Sequence, residues 1–186
     1  LFPGQGAQYV GMGRALHEGG GAARAALDEA DRVLGGDFLK VLFAGPLDRL
    51  TATDVSQPAI YAVACAAYGA WQEQAREITV GAAAGLSLGE YTALTAAGAL
   101  GFTAGLNLVQ QRGRFMQAAA EERPGRMASV LGLETAVVED VCRRFDGVYV
   151  ANYNCPGQVV ISGGETALTE APAALAAAGA KRVLPL

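Results

Sequence analysis

Histidine, cysteine and tryptophan are scarce in this 186-residue chain, which has one His, three Cys and one Trp. Cys65, Cys142 and Cys155 stand far apart, no C-x-x-C pair occurs, and the single histidine, His17, is remote in sequence from all three. That spacing argues against a structural zinc site or a disulfide framework and favours ordinary buried thiols in a reducing cytoplasm. Basic blocks are also missing: 14 Lys and Arg stand against 18 Asp and Glu, for a net charge of −4, so a nucleic-acid partner has no electrostatic footprint. No charge-free apolar run long enough to cross a membrane appears outside Ala-rich amphipathic segments. Leu1-Phe2-Pro3-Gly4 carries no basic region ahead of an apolar stretch and so does not read as a signal peptide. Only 17% of residues are charged while 52% are hydrophobic, which argues against disorder and provides for a sizeable core.

Small residues are abundant instead. Ala (38) and Gly (25) make up 63 of the 186 positions, with no Gly-x-y period, so a collagen-like chain is excluded and closely packed helices are expected. The first residues read as the end of a strand, without an initiating Met, and the last, Lys181 to Leu186, as an apolar strand that stops abruptly. Both ends are expected to be cut.

The spacing predicts helices over 10–18 and 22–34, broken by Gly19-Gly20-Gly21 and Gly35-Gly36. A polar stretch covers 46–53. Ser56-Gln57-Pro58 then opens an Ala-rich helix to about residue 74, with Ile60, Val63, Ala64, Ala67 and Trp71 on one stripe. The glycine-ended apolar segment over 78–85 reads as a buried parallel strand. Helices over 90–97 and from Thr103 to about residue 121 come next, and Pro124-Gly125 reads as a hinge. Beyond it the pattern becomes β-α-β-β-α-β, the split ferredoxin-like order. The expected fold class is α/β. Residues 1–126 would form the N-terminal part of a hydrolase-like large lobe, whose parallel sheet is incomplete here and draws its missing strands from beyond the ends; residues 127–186 would form a small ferredoxin-like lobe.

Three local patterns carry chemistry. Gly85-Leu86-Ser87-Leu88-Gly89 is G-x-S-x-G between a strand pattern and a helix pattern. Glycines two residues either side let a tight turn close, and the serine hydroxyl then stands over a helix N-terminus whose free N–H groups suit an oxyanion. Pro3-Gly4-Gln5-Gly6-Ala7-Gln8 is a second glycine-punctuated turn that brings backbone N–H groups near a ligand, but it is neither G-x-G-x-x-G nor a P-loop. The third is Arg112, within the stripe of Leu106, Val109, Gly113 and Met116. An inward arginine keeps its charge and needs a partner, either a protein carboxylate or a substrate carboxylate held by two parallel hydrogen bonds.

Taken together, the segments Phe2 to Gln8, Gly85 to Leu94, Gln111 to Gln117 and Asn152 to Gly163 resemble the malonyl-CoA:acyl carrier protein transacylase family, which includes the acyltransferase domains of polyketide and fatty acid synthases. The resemblance implies that Ser87 is the acylated nucleophile, that Arg112 holds the malonyl carboxylate, and that Gln5 and Leu88 donate backbone N–H groups to the oxyanion. It implies ping-pong transfer of malonyl from coenzyme A to Ser87, then to the phosphopantetheine thiol of acyl carrier protein in fatty acid biosynthesis. Leu86 and Met116 would line the pocket, with Leu86 standing where most of the family has His. Asn152 and Asn154 would support the site from the lobe boundary or simply turn the chain. No metal, nucleic acid, membrane or cofactor is implied beyond the coenzyme A thioester substrate, and the setting would be cytoplasmic. The family's general base is a histidine beyond a strand like 181–186, so these 186 residues alone are expected to show little or no transacylation. His17, beside Glu18 and three glycines, reads as a solvated surface residue and not as a substitute base. A polyketide synthase acyltransferase domain and a serine acyl-hydrolase are the alternative readings.

Overall fold

Alanine-rich amphipathic helices with glycine breaks dominate the first 119 residues of the computed structural model, which describes residues 1–186. The chain divides into two compact units, Leu1–Ala119 and Ala120–Leu186. The sequence had placed the lobe boundary at 126/127; the structural division falls earlier, within the last turns of a helix.

The first unit holds seven helices: α1 (Arg14–Glu18), α2 (Gly21–Leu34), α3 (Phe38–Ala44), α4 (Leu47–Thr51), α5 (Thr53–Gln74), α6 (Leu88–Ala96) and α7 (Phe102–Glu122), the last of which runs on into the second unit. α2 buries Ala23, Leu27 and Ala30, spaced three and four apart, against the Ala59–Ala62 segment and Ala66 of α5. α7 adds Leu106 and Val109 to the same core. Tyr61, fully buried, hydrogen-bonds Thr95 Oγ1 (2.8 Å) and donates to the Phe102 carbonyl (3.1 Å), tying α5 to α6 and α7. Burial pushes the neighbouring Cys65 thiol up to about 12, so it stays protonated in the folded chain.

Several local expectations change. The 10–18 helix shrinks to α1, because Gly11 (φ 93°) and Gly13 (φ 76°) hold the preceding turn in the left-handed region. The polar stretch over 46–53 contains the short helix α4, and α3 precedes it without having been anticipated. α5 starts at Thr53, leaving Pro58 inside the helix and not in its opening turn. Its stripe of Ile60, Val63, Ala64, Ala67 and Trp71 does share one face and lines a single cavity, but only Ile60 is buried; the core takes Gln57, Tyr61, Ala62 and Ala66. The 78–85 segment forms no strand and is largely exposed, where a buried strand was expected. Its one ladder contact is the parallel bridge Phe2–Gly85, with Phe2 N–H donating to Ala84 O (2.9 Å). A parallel strand exists only where a partner satisfies its backbone, and within these residues Phe2 is the partner available. The parallel sheet of the large lobe is therefore represented here by this bridge.

The second unit runs β1 (Gly125–Leu131), α8 (Thr135–Cys142), β2 (Val148–Cys155), β3 (Gln158–Gly164), α9 (Ala167–Ala177) and β4 (Arg182–Pro185). All pairings are antiparallel, in the order β2-β3-β1-β4. This is the β-α-β-β-α-β arrangement read from the sequence. Ala128, Val130, Val159 and Ile161 pack with Val138 and Val141 of α8 and Leu168 and Leu175 of α9. Alternate positions of β1 and β3 thus build a core with the two helices.

Candidate active site

Ser87 is the single non-glycine residue with positive φ (φ 53°, ψ −103°), and it caps the N-terminus of α6. Its neighbours explain how the chain accommodates that strain. A Cβ on Gly85 would collide with the backbone of Gly89 and Glu90. One on Gly89 would lie 2.8 Å from the Pro3 carbonyl oxygen and closer still to that of Phe2. One on Gly4 would lie 2.9 Å from the Leu86 carbonyl oxygen. The two glycine motifs of the sequence are therefore one structure: the turn containing Gln5 lies against the elbow containing Ser87.

The elbow uses some of its own donors. Gly89 N–H donates to Leu86 O (2.9 Å) and Glu90 N–H to Ser87 O (3.1 Å), which leaves the Leu88 N–H, first in α6, without a backbone acceptor. The Leu88 side chain is buried and that of Leu86 exposed. Gln5 reaches Thr53 Oγ1 through its side-chain amide (3.4 Å), so its backbone N–H is not committed by that contact.

Ser87 and Arg112 meet. Arg112 Nη2 donates to Ser87 Oγ at 2.8 Å. Nη1 donates to Gln57 Oε1 at 2.6 Å, and the guanidinium carbon stands 6.0 Å from the centre of the Tyr91 ring. Of the two partners open at the sequence level, a protein carboxylate is not used: Arg112 forms no ion pair, although arginines elsewhere in the chain do. Gln57 in turn points its Nε2 at Met116 Sδ (3.2 Å). Met116 is 42% exposed and so borders the site instead of filling the core.

Gln57 is the site residue that the sequence did not disclose. It stood next to Pro58 at an apparent helix start and carried no recognisable pattern. The available signal was a polar side chain on the face of α5 that meets α7. Gly113 makes that meeting close, since a Cβ there would lie 2.7 Å from the Thr53 carbonyl oxygen. Asn152 and Asn154 lie on β2 of the second unit, both half-buried, with Asn152 opposite Val160 beside a register shift. His17 lies at the surface, partly covered: Nε2 is 2.6 Å from Asp28 Oδ1 and the ring tilts against Phe43. The site thus offers a strained hydroxyl, free N–H groups and an unneutralised cation.

These features define an α/β protein with a serine on a strained glycine-flanked elbow and, beside it, an arginine without a carboxylate partner. The chain belongs to the acyl transferase domain family, whose model matches residues 1–185. Malonyl CoA-acyl carrier protein transacylases of Bacillus subtilis (strain 168) and Escherichia coli (strain K12) are each 41% identical to it, across all of this chain and 59% and 61% of their own lengths. Among solved structures, an acyl-carrier-protein-S-malonyltransferase from Bartonella henselae superposes with a TM-score of 0.91 at 40% identity, covering all of this chain and 60% of that one. A malonyl-transacylase in complex with a type II polyketide synthase acyl-carrier protein does so with a TM-score of 0.91 at 39% identity and the same coverage. The chain spans about three-fifths of the length of these relatives.

Proposed function

We propose that the protein carrying this chain is a malonyl-CoA:acyl carrier protein S-malonyltransferase of fatty acid biosynthesis. The observation that carries the reading is Arg112, a half-buried cation without a carboxylate partner, 2.8 Å from the hydroxyl of the strained Ser87. A malonyl thioester has a fixed carboxylate a few bonds from its reacting carbonyl, and this spacing suits it. The guanidinium takes the carboxylate by two parallel hydrogen bonds and releases Ser87 Oγ to face the carbonyl. Ser87 Oγ attacks that carbon, the developing oxyanion is met by the N–H groups of Gln5 and Leu88, and coenzyme A leaves as its thiol. The thiol of carrier-protein phosphopantetheine then attacks the malonyl-serine ester, and Ser87 regains its proton. Proton transfer needs a base. His17 is held by Asp28, and on the family resemblance the task falls to a histidine outside these 186 residues.

In this reading residues 1–126 contribute to the acyltransferase lobe and 127–186 form the small lobe, with Asn152 and Asn154 in a supporting role. Leu86 and Met116 border the acyl pocket. The coenzyme A thioester is a substrate, and the chemistry calls for no further cofactor. No helix is long and apolar enough to cross a membrane, and the three cysteines are free, which supports a cytoplasmic setting. The relative bound to a polyketide carrier protein favours one variant of the reading, in which the acceptor serves polyketide synthesis. Incubation of the complete protein with malonyl-CoA, followed by intact mass and peptide mapping, tests the reading. A malonyl ester on Ser87 that carrier protein discharges faster than water supports transfer. Faster discharge to water makes the protein an acyl-hydrolase, and no adduct removes the proposal.

A further inference from the structure

Gln57 is completely buried, and both ends of its amide are engaged. Oε1 accepts from Arg112 Nη1, and Nε2 faces the Met116 sulfur, a weak acceptor. The reverse orientation would set an NH2 group against the guanidinium, donor against donor, so Arg112 itself fixes the amide. Every group touching the Arg112 head is neutral: the Gln57 amide, the Ser87 hydroxyl and the Tyr91 ring. Asp54, the acidic residue in the first turn of α5, is bound by Arg49 through both carboxylate oxygens at 3.0 Å.

We propose that Gln57 is a specificity-determining positioning residue, a neutral clamp that aims Arg112 at the acyl site without cancelling its charge. The inference rests on the malonyl-transfer reading. A glutamate of the same shape would accept the same hydrogen bond and hold the guanidinium equally well. It would also form a buried ion pair, and the pair would compete with the substrate carboxylate for the same cation. An apolar residue of similar volume would leave Nη1 unpaired and the head free to swing away from Ser87. The amide is the side chain that supplies an acceptor of matching length and no charge. Preference for a carboxylated acyl group over an uncharged one therefore depends on residue 57 as well as on Arg112.

The test compares acylation of Ser87 by malonyl-CoA and by acetyl-CoA in the complete protein carrying this chain. Wild type, Gln57→Glu and Gln57→Met are followed by intact mass over a range of donor concentrations. Gln57→Glu is expected to raise the apparent KM for malonyl-CoA by about a hundred-fold while changing the acetyl-CoA rate less than about three-fold. Gln57→Met is expected to lower the malonyl-to-acetyl preference by about ten-fold, and it decides the matter if the glutamate variant does not fold. A purely structural role would depress both donors equally. That result, or an unchanged preference in folded variants of a wild type that prefers malonyl, overturns the inference alone. A wild type that accepts neither donor overturns the malonyl-transfer reading and the inference with it.

Discussion

At Ser87 the backbone is held where a side chain is disfavoured, and the glycines around it remove the clashes that would otherwise prevent it. In the malonyl-transfer reading proposed above, the strain serves to aim the hydroxyl and to leave the first N–H of α6 open. Replacing the residue by glycine removes the steric cost at the same φ and ψ. Ser87→Gly is therefore expected to raise the thermal midpoint, with roughly 1 kcal/mol of stabilisation, while abolishing the malonyl adduct. Differential scanning calorimetry and intact mass check the two halves; a lower midpoint would mean that the Ser87–Arg112 hydrogen bond outweighs the strain. This residue was legible in the sequence because G-x-S-x-G encodes its own backbone geometry locally. Gln57 was not, because its role is defined by Arg112, 55 positions away, and no short-range pattern encodes that contact.

Helices α5 and α7 bring Gln57 and Arg112 together, and their approach is set by a residue without a side chain. Gly113 is buried in α7 with the Thr53 carbonyl oxygen 2.7 Å from where a Cβ would stand and Asp54 Cα at 3.1 Å. A methyl group there meets backbone, which cannot rotate aside. Gly113→Ala is expected to cost about 1–3 kcal/mol despite the better helix propensity of alanine. It should also weaken malonyl-CoA binding, since Arg112 is the adjacent residue. Thermal melts and the apparent KM check this, and unchanged values would show that the helices can part without consequence. The α7 face was readable because Leu106, Val109 and Gly113 recur at three and four positions amid polar neighbours. The α5 face was not, because alanine at positions 59, 62, 64, 66, 67 and 70 makes nearly every side of that helix admissible in a core. Tertiary neighbours choose the face, and they chose Tyr61 and Ala66 over Ala67 and Trp71.

The two units differ in how much of their apolar surface they cover themselves. Residues Ala120–Leu186 hold a four-stranded antiparallel sheet and two helices with their own core, in which Val130, Val138, Ile161 and Leu175 are almost wholly buried. Their order was legible because β1, β2 and β3 find their partners within about forty residues and β4 within about sixty, so local turn and periodicity signals agree with the final pairing. The first unit has a helical core of its own but also an open cavity of about 510 Å3 lined by Phe2, Ile60, Val63, Tyr68, Trp71 and Val80. The Ile60–Trp71 stripe of α5 and the 78–85 segment both border this cavity, so the exposure of the stripe's outer residues and the missing strand have one physical origin: apolar surface that these residues cover only in part. The contrast predicts different behaviour when the chain is divided at Ala119/Ala120. Residues 120–186 alone are expected to unfold cooperatively with a stability of up to about 3–5 kcal/mol and to bind little hydrophobic dye. Residues 1–119 alone are expected to keep helical circular dichroism and to bind the dye strongly through the open cavity. Dye fluorescence, thermal melts and amide hydrogen exchange on the two pieces check this. A disordered second piece would show that its core is insufficient by itself, and a first piece that excludes dye would show that its cavity closes without help.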